Sequence, residues 1–327
     1  VLHDAFPRQN RGLIRALALF RTAILILLLA LPALAFCQAP QLAFNTRYFN
    51  VHTANGKDPG LKGTFLSLDD LVDGIQMDTG VYIDGGPDVY IVPDRADYLA
   101  LSQGRSKIVE FSEAFYSSQE GQIYIRGEVQ ADANFKKVVL HEYIHWYLDQ
   151  VFELTPLWFH EGMAMLYANQ LGFESYLMYI RDRFWGSKGD LFRMAYRYPE
   201  EQRDWQHYYL TSYFAIKYLK EDKEKGWNDL WALASQNYHN GKKTHFVRAF
   251  NTSFNITLFD FNEQFTRHSY RLAWQYLIIA INALVIAILP FIVLIIYARR
   301  RKRQRALPDY PVPEDMEEPD PDDTDPE

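Results

Sequence analysis

The chain has 327 residues, 48% of them hydrophobic and 23% charged, with a formal net charge of −7. That length suits roughly two folding units, an aromatic share of 16% argues against a disordered chain, and the negative balance argues against nucleic acid as a partner, because phosphate contact needs a basic face. A single cysteine excludes an intrachain disulfide framework and any zinc site built from several thiolates, so a metal here needs His and carboxylate ligands.

Charge is unevenly spread. Residues 1–39 carry four Arg and one Asp, 40–271 carry 24 basic against 30 acidic side chains, 272–297 carry none, and 298–327 carry six basic against ten acidic. The first apolar segment, Thr22–Phe36, follows Arg8, Arg11, Arg15 and Arg21. As a helix it would cover only about 22 Å, short of a hydrocarbon core of ~30 Å. A basic start, a short apolar run and the small-residue site Ala33-Leu34-Ala35 read as a secretory signal over residues 1–39, cleaved after Ala35 or Ala39. An uncleaved N-terminal anchor is the alternative. Phe36 is too large for Cys37 to read well as an acylation site.

Residues 40–271 then read as one exported domain. Phe44–Thr53 alternates as a strand; Ser67–Met77 begins with a capping serine and repeats apolar residues at helical spacing. Asp88–Val92 is a buried strand stopped by Pro93, and Lys107–Phe111 and Gln122–Arg126 are further strands. From residue 134 to about 152 the pattern is helical, as it is over 157–171, 174–185, 205–220, 227–239 and 258–270. Strands first and helices after predict an α+β fold, a small N-terminal sheet followed by a mainly helical bundle.

Leu272–Ala298 holds 27 residues without a charge, long enough to span a bilayer with some tilt. Trp274, Tyr276 and Tyr297 stand where an aromatic belt belongs, and the basic block Arg299–Arg303 places the C-terminus in the cytoplasm. Asn282 and Pro290 interrupt the span and are read as tolerated. Residues 299–327, basic and then Pro- and Asp-rich, are expected to be a disordered cytoplasmic tail that serves as solvated filler or meets a cytoplasmic partner.

The chemistry-bearing residues are His141-Glu142-Tyr143-Ile144-His145. Positions i and i+4 share one helix face, so two imidazoles can grip one ion with Glu142 beside its open position, the HExxH arrangement for zinc. Glu161, in Trp158-Phe159-His160-Glu161-Gly162-Met163-Ala164, begins the next helix after Pro156. An antiparallel pair of helices would carry its carboxylate to the same ion, leaving one tetrahedral position open. The strand Gln122–Arg126 is expected to offer an edge on which an extended peptide adds.

These two motifs resemble those of the gluzincin zinc metallopeptidases, the peptidase MA-like families, and the second also resembles the corresponding segment of M1-type aminopeptidases. The likeness covers residues from about 44 to 268, specific in the motifs and weak in the flanks. It implies a zincin-like bundle and zinc-dependent peptide hydrolysis. His141, His145 and Glu161 would hold Zn²⁺, which lowers the pKa of a water toward ~7 and polarises the scissile carbonyl. Glu142 would move the proton from water to the leaving amine. Tyr209 is the candidate donor to the oxyanion and His207 the second candidate; His160 is expected to be a neighbour of the site or exposed. The gap between the second His and Glu161 is shorter than in the M1 enzymes, and their Gly-x-Met-Glu-Asn element is absent, which favours an endopeptidase acting on exported proteins or peptides. A non-catalytic binding or sensor ectodomain on a peptidase fold is the alternative.

Overall fold

The structure, a computed structural model, describes residues 40–103, 112–131, 133–186 and 189–305. The expected leader, the strand Lys107–Phe111 and the acidic stretch Leu307–Glu327 lie outside the described residues.

The stretch Phe44–Thr53, expected as one strand, folds back on itself. Strands β1 (Gln41–Asn45) and β2 (Asn50–Thr53) pair antiparallel. The buried Asp69 carboxylate holds the turn between them, accepting from the Thr46 hydroxyl and from the backbone N–H groups of Arg47 and Tyr48. Asp69 belongs to helix α1 (Lys62–Thr79), which starts before the serine expected to cap it. Ser67 instead sits inside the helix and donates to the Thr64 carbonyl. The apolar stripe Phe65, Leu68, Val72 and Ile75 is buried, and it begins two residues before Ser67.

Strand β3 (Asp88–Val92) ends at Pro93 as expected. Helix α2 (Arg95–Ser102) follows, capped by the Asp94 carboxylate on the Ala96 N–H. Strands β4 (Ala114–Ser117) and β5 (Gln122–Arg126) complete a five-stranded sheet in the order β1-β2-β3-β5-β4. The three inner strands are parallel and both edges antiparallel. Gln122–Arg126 is therefore not an edge. Short β4, whose sequence shows no clean alternation, covers it and takes the last place in the sheet among the described residues.

After a 3₁₀ turn (Gly127–Ala131) the chain is mainly helical: α3 (Phe135–Val151), α4 (Leu157–Tyr167), α5 (Phe173–Trp185), α6 (Leu191–Met194), α7 (Gln202–Asp222), α8 (Glu224–His239), α9 (Phe246–Phe254) and α10 (Leu258–Arg305). A two-stranded ladder, β6 (Phe152–Glu153) with β7 (Thr244–His245), ties the end of α3 to the start of α9. Helix α3 lies between the sheet and the later helices, and Tyr143, Ile144, Tyr147 and Leu148 are wholly buried. Its buried hydroxyls are paired: Tyr143 accepts from Gln76, and Tyr147 meets Thr79 and the Val81 carbonyl. The α+β order of the sequence is thus the order of the structure.

The last helix differs from expectation. Segment 258–270, the apolar stretch 272–298 and the basic block form one 48-residue helix with Pro290 inside it. No glycine or proline stands between Leu258 and Leu289, so no breaker ends the helix before the apolar stretch. Phe261, Phe265, Ser269 and Ala273, four residues apart, are fully buried against the domain, and from Ile281 on every side chain to Arg305 is exposed. This helix is long and apolar enough to cross a membrane. The expected disordered tail is corrected for Arg299–Arg305, which continue the helix; basic side chains suit the negative end of a helix dipole.

Candidate metal centre

Two helices and the turn between them build the site. Leu154, at φ 58°, reverses the chain after α3, and Pro156 sets the extended residue from which α4 starts. Gly162 then lets α4 lie against α7: a Cβ there would come within 2.3 Å of the Ser212 carbonyl oxygen and 2.5 Å of Ile216 Cγ1. The glycine following Glu161 is therefore a packing requirement, and it fixes how far the Glu161 carboxylate reaches toward α3.

His141 and His145 face each other across one helical turn, ring centroids 4.9 Å apart. The Glu161 carboxylate meets both: Oε2 lies 3.3 Å from His141 Nε2, and Oε1 lies 3.7 Å from His145 Nε2. One ligand atom from each of the three residues falls within 4.8 Å of the others. The group can hold a metal ion. Glu161 Oε2 is buried without a hydrogen-bond partner, an unmet acceptor that a cation would satisfy. Three further side chains fix the ligands. His141 Nδ1 donates to Gln170 Oε1 at 3.0 Å, which leaves the Nε2 lone pair facing inward. His145 Nδ1 lies 3.4 Å from Nδ1 of His160, whose Nε2 faces the Asp149 carboxylate at 3.6 Å. Tyr198 donates to Glu161 Oε1 at 2.8 Å. Such outer contacts orient ligands and tune their basicity.

The charge states of Glu161 and His145 suit a cation, whereas His141 must give up a proton to bind one. Burial opposes ionisation of Glu161, but His145, His141 and the Tyr198 hydroxyl outweigh it and bring its pKa down to about 2. Burial pushes His145 down to about 3, keeping the ring neutral as a metal ligand must be. In His141 burial also acts downward, but Glu161 prevails and raises the pKa. Burial carries Glu142 up to about 7, with His141 opposing, the range in which a carboxyl can both take and return a proton.

The site opens into a cleft of about 570 Å³ lined by His141, Glu142, Tyr209, the chain entering β4 (Ser112–Ala114) and the first turn of α5 (Glu174, Ser175). The Tyr209 ring stands 6.5 Å from that of His141. Burial and the charges of Glu161 and Glu142 hold its phenol well above its ordinary pKa, so it remains a donor. His207 is not brought to this cleft. It lines a separate cavity of about 700 Å³, with Nδ1 3.5 Å from Asp182. One turn of α7 offers two faces: Tyr209 points to one side and His207 to the other.

Sequence reasoning missed Gln170, Tyr198 and Asp149. Tyr198 lies in the irregular stretch between α6 and α7 and carries no periodic signal. Asp149 sits two turns along α3 from Glu142, and that spacing was legible once His160 was placed beside it. A scan against protein-family models, a search of curated proteins and a search of solved structures each returned no match to this chain.

Proposed function

We propose that this chain is a membrane-anchored zinc metallopeptidase of gluzincin type that hydrolyses internal peptide bonds of exported proteins or peptides. The observation that carries the reading is the convergence of two imidazole Nε2 atoms and one carboxylate within 4.8 Å, beside a cleft that Glu142 and Tyr209 also line. Two nitrogens and one oxygen in an open site fit catalytic zinc. When bound, the ion supplies the Lewis acidity that sharpens a water and polarises a carbonyl. Glu142 takes the proton of the attacking water and hands it to the leaving nitrogen. Tyr209 donates to the oxygen that gains charge. The outer edge of β4, which pairs with no further strand among the described residues and whose entry lines the cleft, offers backbone groups for an extended substrate, which favours internal cleavage over trimming from an end. The basic block after the apolar stretch favours an outside domain and a cytoplasmic C-terminus.

Metal analysis of the purified full-length chain tests this reading. One zinc per chain is expected, lost in His141→Ala and in His145→Ala. Glu142→Gln is expected to keep its zinc and lose hydrolysis of unfolded protein substrates by about 10²–10⁴-fold. Undiminished hydrolysis in that variant rejects the mechanism; zinc-loaded wild type that cleaves nothing returns the domain to a binding or sensing role.

A further inference from the structure

Helix α5 meets α10 where charge disappears from the chain. The Tyr176 ring packs on Tyr276 with centroids 5.1 Å apart, and Phe184 packs on Trp274 at 4.9 Å. Along α5 these two contacts are separated by about 12 Å, but along α10 by only about 3 Å. The two helices therefore cross at a steep angle. With the apolar part of α10 standing across a bilayer, α5 lies nearly flat at the level where the span begins.

The faces of α5 are divided accordingly. Tyr179, Ile180, Asp182 and Arg183 are buried toward the domain. On the outward side Phe173 is 77% exposed, Leu177 46% and Trp185 78%, and Trp274 beside them on α10 is 55% exposed. Positions 173, 177 and 185 share one side of the helix, and Arg181, exposed and paired with Asp182, stands among them. An exposed apolar stripe of this kind marks a contact surface. Its continuity with the lipid-facing length of α10 identifies what covers it.

We propose that α5 is an interfacial helix whose Phe173, Leu177 and Trp185 sit at the headgroup–acyl boundary of the same bilayer that α10 crosses. The inference rests on the span and not on the hydrolytic reading. It sets the domain directly on the membrane. Because the first turn of α5 also lines the metal cleft, any polypeptide entering that cleft does so close to the lipid surface.

Single-cysteine spin labels test the proposal on the full-length chain in phosphatidylcholine/phosphatidylglycerol nanodiscs. Labels go at Leu177→Cys and Trp185→Cys in a Cys37→Ser background, with Leu66→Cys on α1 and Ile286→Cys in the span as references. The expected oxygen-to-nickel-chelate accessibility ratio at 177 and 185 is several-fold above that at 66 and approaches that at 286. Ratios at 177 and 185 equal to that at 66, with 286 still lipid-exposed, overturn the proposal and leave the span intact. Shielding of 177 and 185 from both probes also overturns it, because a protein partner then covers the stripe. An aqueous signature at 286 overturns the span and the proposal together.

Discussion

At the level of single residues, the proposed function gives two tyrosines near the His/His/Glu group separable tasks. Tyr198 packs its ring on Trp205 and Tyr208 and turns its hydroxyl to the ligand carboxylate, 2.8 Å from Glu161 Oε1. Tyr209 lines the open cleft beside His141. Tyr198→Phe should therefore weaken metal affinity by about 10–100-fold, as loss of an outer contact does, and leave turnover of the metal-saturated protein close to wild type. Tyr209→Phe should retain the metal and lower kcat by about 10²–10³-fold. Competition with a chelator reads the first effect and steady-state kinetics at saturating zinc the second; the reverse pattern would exchange the two roles. His160 behaves neither as a ligand nor as a surface residue. It stands part-buried between His145 and Asp149, where it holds one imidazole ring in place.

At the level of elements, the distance between α4 and α7 governs the site. Gly162 is the point of closest approach, and both helices carry site residues, Glu161 on one and Tyr209 on the other. Adding one methyl group there forces the helices apart, because the obstacle is the Ser212 backbone and not the end of a flexible side chain. Gly162→Ala is expected to cost about 1–3 kcal/mol of stability and to weaken metal binding through displacement of Glu161. Thermal melts with and without zinc measure both losses; an unchanged melting temperature would show that the α4–α7 contact is looser than drawn. Local signals defined most helices well. They failed where an element is short or is shaped by a neighbour: β4 has too few residues for a period to show, and the β1–β2 turn is pinned by Asp69 from a later helix.

Across the molecule, Asp78 at the end of α1 joins the sheet layer to the later helices. Its carboxylate accepts from Tyr167 on α4 and from Lys220 on α7. Burial works to raise the Asp78 pKa, but these hydrogen bonds and the Lys220 charge lower it on balance. A carboxyl depressed in the folded state adds stability above its unfolded pKa of about 3.9 and loses it as pH falls through the folded value. Asp78→Asn should thus lower stability at pH 7 by no more than about 1 kcal/mol, since the group is partly exposed. The acid side of its stability profile should be flatter than that of wild type. Thermal midpoints between pH 7 and pH 3 decide this, and parallel profiles for the two proteins would show that the link does not contribute.

The α+β order, the two imidazoles on one helix face and a helix apolar enough to cross a membrane were all legible in the sequence. Each depends on residues close in the chain, where helical or strand periodicity alone fixes which side chains share a face. Tertiary structure decided which strand holds the sheet edge, that Tyr209 and not His207 reaches the cleft, and that Gln170, Tyr198 and His160 steady the metal group. It also decided that segment 258–270 and the apolar stretch form one helix, against which α5 packs. Those outcomes depend on how elements far apart in sequence pack together. A one-dimensional period specifies a face but not what lies against it.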